Sequence, residues 1–249
     1  MKKTFLLVAV LALCFACKEA PKAVENTVAK AAESVQTVVE ATLAADEKAA
    51  GFKLLFNGKN TEGWHPYKGT MDSTYRWTIN EGILQTKGGH VDMVSDSTFE
   101  NFELRFDWNV GKAGNSGIMY MVQENEPNTQ STWNTGIEYQ IIDHENWPDK
   151  LNESQKAGSV YDLYDPLVLA SKPSGEWNSA KIICNKGHIE HYVNDKKTAD
   201  YEWNSKDYLE RFNKSKFKDM PFGKKMKGQF ALQDHGQAVA FKNIRIKTL

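Results

Sequence analysis

The segment from Phe102 to Val110 alternates apolar and polar residues without a break. In an extended chain successive side chains point to opposite faces. Phe102, Leu104, Phe106, Trp108 and Val110 therefore share one apolar face, and Glu103, Arg105, Asp107 and Asn109 share the other. Such a strand needs a second apolar layer to cover it. The chain offers further strands of the same kind. Trp77-Thr78-Ile79 and Ile83-Leu84 flank Asn80-Glu81-Gly82, a hairpin whose glycine takes a positive φ. Ser116 to Val122 reads as another strand. Lys181 to Asn185 and His188 to Val193 pair across Asn185-Lys186-Gly187, and Asn194-Asp195 turns the chain again. Gln229 to Gln233 and Val239 to Ile246 close the set. In the last strand Val239 and Phe241 share one parity while Ile244 and Ile246 share the other, which predicts a bulge near Asn243. Short strands punctuated by Gly and Asn turns predict an all-β fold, an antiparallel β-sandwich, over residues 51–249.

The 249 residues are 41% hydrophobic, enough for one substantial core. A formal net charge of -1 gives no global field to recruit nucleic acid, and no nucleic-acid partner is expected. Lys2 and Lys3 precede an apolar run from Phe5 to Ala12 that is too short to span a bilayer as a mature helix. Ala16 puts a small residue just before Cys17. Residues 1–16 therefore read as a lipoprotein signal peptide and Cys17 as the lipidated residue, which makes the protein an exported one, anchored to the bacterial envelope. Residues 17–50 are rich in Ala, Val, Glu and Lys, without Gly or aromatic residues, and read as a helical or disordered tether. Cys184 sits in a strand-like run and reads as a buried thiol with no disulfide partner.

Chemistry concentrates on the strand from Gly136 to Asp143. Ile137, Tyr139 and Ile141 point one way, so Glu138 and Gln140 point the other, about 7 Å apart on a face expected to be exposed. Asp143 waits at the strand's end. Gln233-Asp234-His235-Gly236 follows a later strand and places an imidazole, a group suited to proton transfer, at a sheet edge; the same four residues also suit an Asx-type turn. Trp133, Trp147 and Tyr161 have rings able to stack on a sugar or to fill a core, whereas Trp177 reads as structural. The polar stretches Glu145 to Ala157 and Ser205 to Lys227 read as long loops. The lysines of the second, Lys216 among them, read as a solvated charge run.

Several of these residues recur in an ordered set: Phe52-x-x-Leu55-Phe56-Asn57-Gly58-Lys59 with Gly63-Trp64, Gly114-Asn115-Ser116-Gly117-Ile118, Gly136-x-Glu138-x-Gln140-Ile141-x-Asp143, Gly158-Ser159-Val160-Tyr161-Asp162, Pro173-x-Gly175-Glu176-Trp177-Asn178, Leu232-Gln233-Asp234-His235-Gly236 and Phe241-Lys242-Asn243-Ile244. Together they resemble the 3-keto-disaccharide hydrolase family, from about Phe52 to Ile246. The resemblance implies a concanavalin/laminin-G-like jelly roll and cleavage of a glycoside whose sugar is already oxidised at C3. It also marks a departure: many members carry an Arg shortly after the Asn-Ser-Gly-Ile element, where this chain has Met119, Tyr120 and Met121.

A C3 ketone acidifies the hydrogen on C2, so a base can remove it and the C1 substituent can leave by elimination, with water adding back. Such a reaction asks for a base near C2, a positive or donating group at the C3 oxygen and an acid for the leaving group. Glu138, His235 and Asp143 are the catalytic candidates. Asn115, Gln140, Tyr161, Asp162, Trp177 and Gln233 are candidates for holding a carbohydrate substrate. A divalent cation held by Glu138, Asp143 and His235 stays open. So does a non-catalytic carbohydrate-binding module on the same fold, since fold does not fix function.

Overall fold

In the computed structural model, which describes residues 40–69, 75–89 and 91–249, Phe102–Val110 forms one strand that alternates buried and half-buried residues along its whole length. The expected signal peptide, the expected lipidation site Cys17 and the expected tether as far as residue 39 lie outside the described residues. The described residues from 40 onward belong to one unit.

The strands in chain order are β1 (Lys53–Leu54), β2 (Trp64–Pro66), β3 (Thr78–Asn80), β4 (Ile83–Thr86), β5 (Met93–Ser95), β6 (Phe102–Val110), β7 (Asn115–Val122), β8 (Ile137–Ile142), β9 (Asn178–Asn185), β10 (His188–Val193), β11 (Lys196–Glu202), β12 (Gln229–Leu232) and β13 (Val239–Thr248). They build two antiparallel sheets. The larger runs β11-β10-β9-β6-β13-β4-β3, with β1 also on β13, and the smaller runs β2-β5-β12-β7-β8. The apolar face of β6 meets the inner face of the smaller sheet. Phe102 packs edge-on against Phe230 and Tyr120, with ring centroids 4.7 and 6.3 Å apart, and Phe106 packs edge-on against Tyr139 at 5.5 Å. This is the antiparallel β-sandwich that the alternation predicts. Cys184 is buried in it as a free thiol.

The turns follow from residues that tolerate left-handed backbone. Lys186 and Gly187 have φ of 52° and 94° between β9 and β10, and Asn194 and Asp195 have 46° and 62° between β10 and β11. The register of β13 against β6 shifts between Lys242 and Arg245, with Asn243 at φ 52°, so the bulge falls where the change of parity places it.

One expectation is corrected and one stretch of the expected tether can be placed. The described end of that stretch lies against the domain. Helix α1 (Ala45–Ala49) docks on the larger sheet, where Glu47 Oε1 accepts hydrogen bonds from Arg245 Nε at 2.5 Å and Arg105 Nη1 at 3.4 Å. The stretch from Ser205 to Lys227 is not a plain solvated loop. Ser205 caps helix α2 (Lys206–Lys214) by accepting from the Tyr208 N–H, as an N-cap serine does. Between the lysines, Tyr208, Phe217 and Phe222 are buried. They extend a ladder of stacked rings in which Tyr164 lies on Tyr201 at 4.7 Å and Phe217 on Phe222 at 4.0 Å. The aromatic residues, not the lysines, decide where this segment goes.

Candidate active site

On β8 the side chains of Ile137, Tyr139 and Ile141 enter the core, so Glu138 and Gln140 point away from it. The expected exposure of that outer face is corrected: Glu138 is 5% and Gln140 1% exposed. The reason is a second layer over the sheet edge. Residues 158–161 run beside β8, where the Gln140 N–H donates to Ser159 O, the Gly158 N–H to Gln140 O and the Tyr161 N–H to Glu138 O. This pairing covers the edge of β8 and brings the Tyr161 ring beside Glu138. From the other side, the short turn Thr132–Asn134 carries Trp133 over the same face; the Ser131 and Asn134 side chains fix that turn by capping each other's backbone.

Glu138 lies directly across from Met119 and diagonally above Gly117 on β7. A Cβ added at Gly117 would sit 2.4 Å from Glu138 Oε1, so the carboxyl group occupies room that only glycine leaves. No described residue donates it a hydrogen bond. Burial pushes its pKa up to about 8, with the nearby Lys216 charge pulling the other way and Asp92 pushing it further up. Where many members of the resembling family carry an Arg, Met119 is buried in an apolar cluster with Val94, Val122 and Ala231, and the cation near Glu138 is Lys216 instead.

Glu138 and Gln140 open into a cavity of about 180 Å³ that Asn115, Gln233, Lys216 and His235 also line, between the rings of Trp133 and Tyr161. Asn115 and Gln233 are 9% and 8% exposed, and their side-chain oxygens Oδ1 and Oε1 are buried without a hydrogen-bond partner. Two unpaired buried acceptors ask for a ligand with hydroxyl donors. Gln140 is less free, since its amide donates to Gln155 O at 3.3 Å. Lys216 Nζ stands 4.4 Å from the centre of the Tyr161 ring and 5.3 Å from that of Trp133. Asp162, at φ 61°, accepts the backbone N–H of Lys216 and so fixes its place without lining the cavity. His235 is exposed at the rim, its ring edge-on to Trp147 and its Nδ1 3.0 Å from Gln237 Oε1.

The structure sets two other candidates apart. Asp143 does not line the cavity: its carboxylate accepts the Ala113 N–H at 2.8 Å and the Asn146 side-chain amide at 3.0 Å. Burial alone would raise its pKa, but these donors hold it below the ordinary carboxylate range. Asp143 therefore closes the β7–β8 end as a structural acceptor, and Glu138, Asp143 and His235 do not come within shared ligating distance. Among the described residues the side chains close enough for that are His188, Glu190 and Asp200 on the other sheet, where Lys197 already bridges the two acids. Trp177 lies under Lys242 Nζ at 4.1 Å, away from the cavity. Asp234 forms the Asx-type turn, with Oδ1 accepting the Gly236 N–H and Oδ2 the Thr86 hydroxyl.

A second hollow of about 310 Å³ shares Trp133, Gln233 and His235 with the first and extends to Tyr67, Gln130 and Asp92. Asp92 accepts the Asp234 N–H on Oδ1 at 2.9 Å and the Thr132 hydroxyl on Oδ2 at 2.5 Å. Burial, aided by the charge of Asp234, pushes its pKa up to about 6. Sequence reasoning missed Lys216 and Asp92. For Lys216 the signal was the spacing of Phe212, Phe217 and Phe222 about it; for Asp92 there was none.

Comparison with known proteins gives a consistent picture. A family model described as 3-keto-alpha-glucoside-1,2-lyase-like domain matches residues 51–247. A protein of Bacteroides thetaiotaomicron named 3-keto-disaccharide hydrolase is 32% identical over 290 aligned residues, with all of both chains covered. A crystal structure from Parabacteroides distasonis, provisionally described as a glycosyl hydrolase, is 35% identical with a TM-score of 0.79 and covers 84% of this chain and 99% of that one. A second from the same organism, 24% identical with a TM-score of 0.60, covers 80% and 99% and speaks to the fold alone.

Proposed function

The chain belongs to the 3-keto-alpha-glucoside-1,2-lyase-like family, and on that premise we propose that it cleaves glycosides whose sugar carries a ketone at C3, with Glu138 as the base at C2. The observation that carries this reading is the Glu138 carboxyl group itself. It is enclosed, has no donor among the described residues, opens into the cavity, and has a pKa raised to about 8, close to a working pH.

Glu138 takes the C2 proton, and the electron pair of that C–H bond moves onto the C3 oxygen as an enolate. Lys216 faces the growing negative charge from its place against Tyr161 and Trp133. The enolate then re-forms the ketone, a C1–C2 double bond forms, and the bond from C1 to the departing oxygen breaks. His235 at the rim supplies that oxygen's proton. Water adds through its oxygen to C1, C2 regains a proton, and the net change is consumption of one water. Asn115 and Gln233 accept hydroxyl protons of the sugar ring, the role their unpaired oxygens suit.

Turnover of a 3-keto-disaccharide with release of monosaccharide is the expected result, and Glu138→Gln should lower kcat by about a hundredfold or more. Binding without turnover by the wild type would instead identify a carbohydrate-binding module. In the same reading the enzyme is exported and held at the envelope by a lipid on Cys17. Cys17→Ala should then move it from the membrane fraction to the soluble one; an unchanged membrane fraction would contradict the anchor.

A further inference from the structure

We propose that the hollow beside the Glu138 cavity is a leaving-group subsite that holds a second sugar ring, recognised by Tyr67, Asp92 and Gln130. The inference rests on Glu138 acting at C2. The bond that breaks starts at C1, one atom from C2, so the departing group has to lie against a wall of the Glu138 cavity. The adjoining hollow meets that condition: Trp133, Gln233 and His235 belong to both. His235 stands at the junction, where the departing oxygen would need its proton.

The chemistry of the lining selects the occupant. Asp92 offers two carboxylate oxygens, each accepting one protein hydrogen bond, from Asp234 N–H and from the Thr132 hydroxyl. A carboxylate has about four acceptor positions, so about two stay open for ligand hydroxyl groups. The Gln233 oxygen, buried and unpaired, adds a further acceptor at the shared wall. Tyr67 supplies a ring on a rigid mount: it packs on the Val94–Met119–Ala231 cluster, and its hydroxyl is 3.1 Å from Thr129 Oγ1. Hydroxyl-accepting groups beside aromatic faces fit a polyhydroxylated ring better than an alkyl or plain aryl group.

The test compares a 3-keto-disaccharide with the methyl 3-keto-glucoside, whose leaving group is too small to reach Tyr67 or Gln130. Gln130 is exposed and its side chain bonds to no described residue, so Gln130→Ala leaves the fold undisturbed; Tyr67→Ala is the stronger change. In each variant the ratio of kcat/KM for the disaccharide to that for the methyl glucoside should fall, by about tenfold for Tyr67→Ala. An unchanged ratio in both variants overturns the subsite, even if both rates drop together. If the wild type turns over neither substrate, the role of Glu138 fails, and the subsite is read from binding of the unoxidised disaccharide and of methyl glucoside. Tighter binding of the disaccharide that Tyr67→Ala abolishes upholds it; equal binding of the two sugars overturns it.

Discussion

Gly117 on β7 lies beneath the carboxyl group of Glu138 on β8, and a Cβ at Gly117 would meet Glu138 Oε1 at 2.4 Å and Cδ at 2.9 Å. The glycine is required by its neighbour, since its φ is not in the left-handed region. Gly117→Ala should therefore drive the carboxyl group from its position while the strand pairing survives. The overpacking costs about 1–3 kcal/mol of stability, and kcat should fall by more than that loss explains at a temperature where the variant is folded. An unchanged kcat would mean that the position of the carboxyl group is immaterial.

Glu138 also makes stability depend on pH. Its pKa in the folded protein, about 8, lies above the ordinary value of 4.5, so between those values the folded state keeps a proton that the unfolded chain has released. Stability from this group is complete below about 4.5 and is lost as pH rises toward 8. Glu138→Gln carries no such proton. Urea midpoints at pH 5 and pH 8 should show the wild type losing stability relative to the variant on going to pH 8. Parallel behaviour of the two proteins would show that Glu138 titrates as an ordinary solvated acid.

Lys216 lowers the pKa of Glu138 and faces the cavity. Lys216→Met should move the acid limb of the kcat/KM profile to higher pH, because the carboxylate loses its nearby cation. It should also lower kcat by about a hundredfold through the enolate. A pH–rate profile measures both. A limb that stays in place with kcat intact would return Lys216 to the solvated charge run.

Asp143 gives the opposite expectation. Its carboxylate holds the Ala113 N–H and the Asn146 amide at the end of β8. Asp143→Ala leaves that N–H without its acceptor and should cost about 1–3 kcal/mol of stability, with kcat of the folded enzyme kept. Thermal unfolding and kcat measured together decide the matter; loss of kcat at unchanged stability would restore Asp143 to the catalytic set.

Strand order within the chain was largely legible because period-two alternation is a local property. Phe102 to Val110 and the parity change at Asn243 could be read residue by residue. Burial of the site was not, since what covers Glu138 comes from residues 158–161 and from Trp133, neither of which shares its strand. The same applies to Lys216, whose position depends on Asp162 and on rings from two other segments. Helix α2 was hidden for a different reason. Its lysines dominate the composition, while the face that Tyr208 and Phe212 bury becomes visible only at helical spacing. Glu138, Gln233 and His235 do share one cavity, an arrangement that alternation could place on one face but could not bring together.

Running the reaction in heavy water tests the central claim most directly. If Glu138 removes the C2 proton and elimination precedes addition of water, the released 3-keto sugar carries one solvent deuterium at C2, incorporated faster than the same sugar exchanges without enzyme. Product that keeps its original hydrogen at C2, together with equal rates for substrates carrying hydrogen and deuterium at C2 when the chemical step is followed in a single turnover, would contradict proton removal at C2 by Glu138.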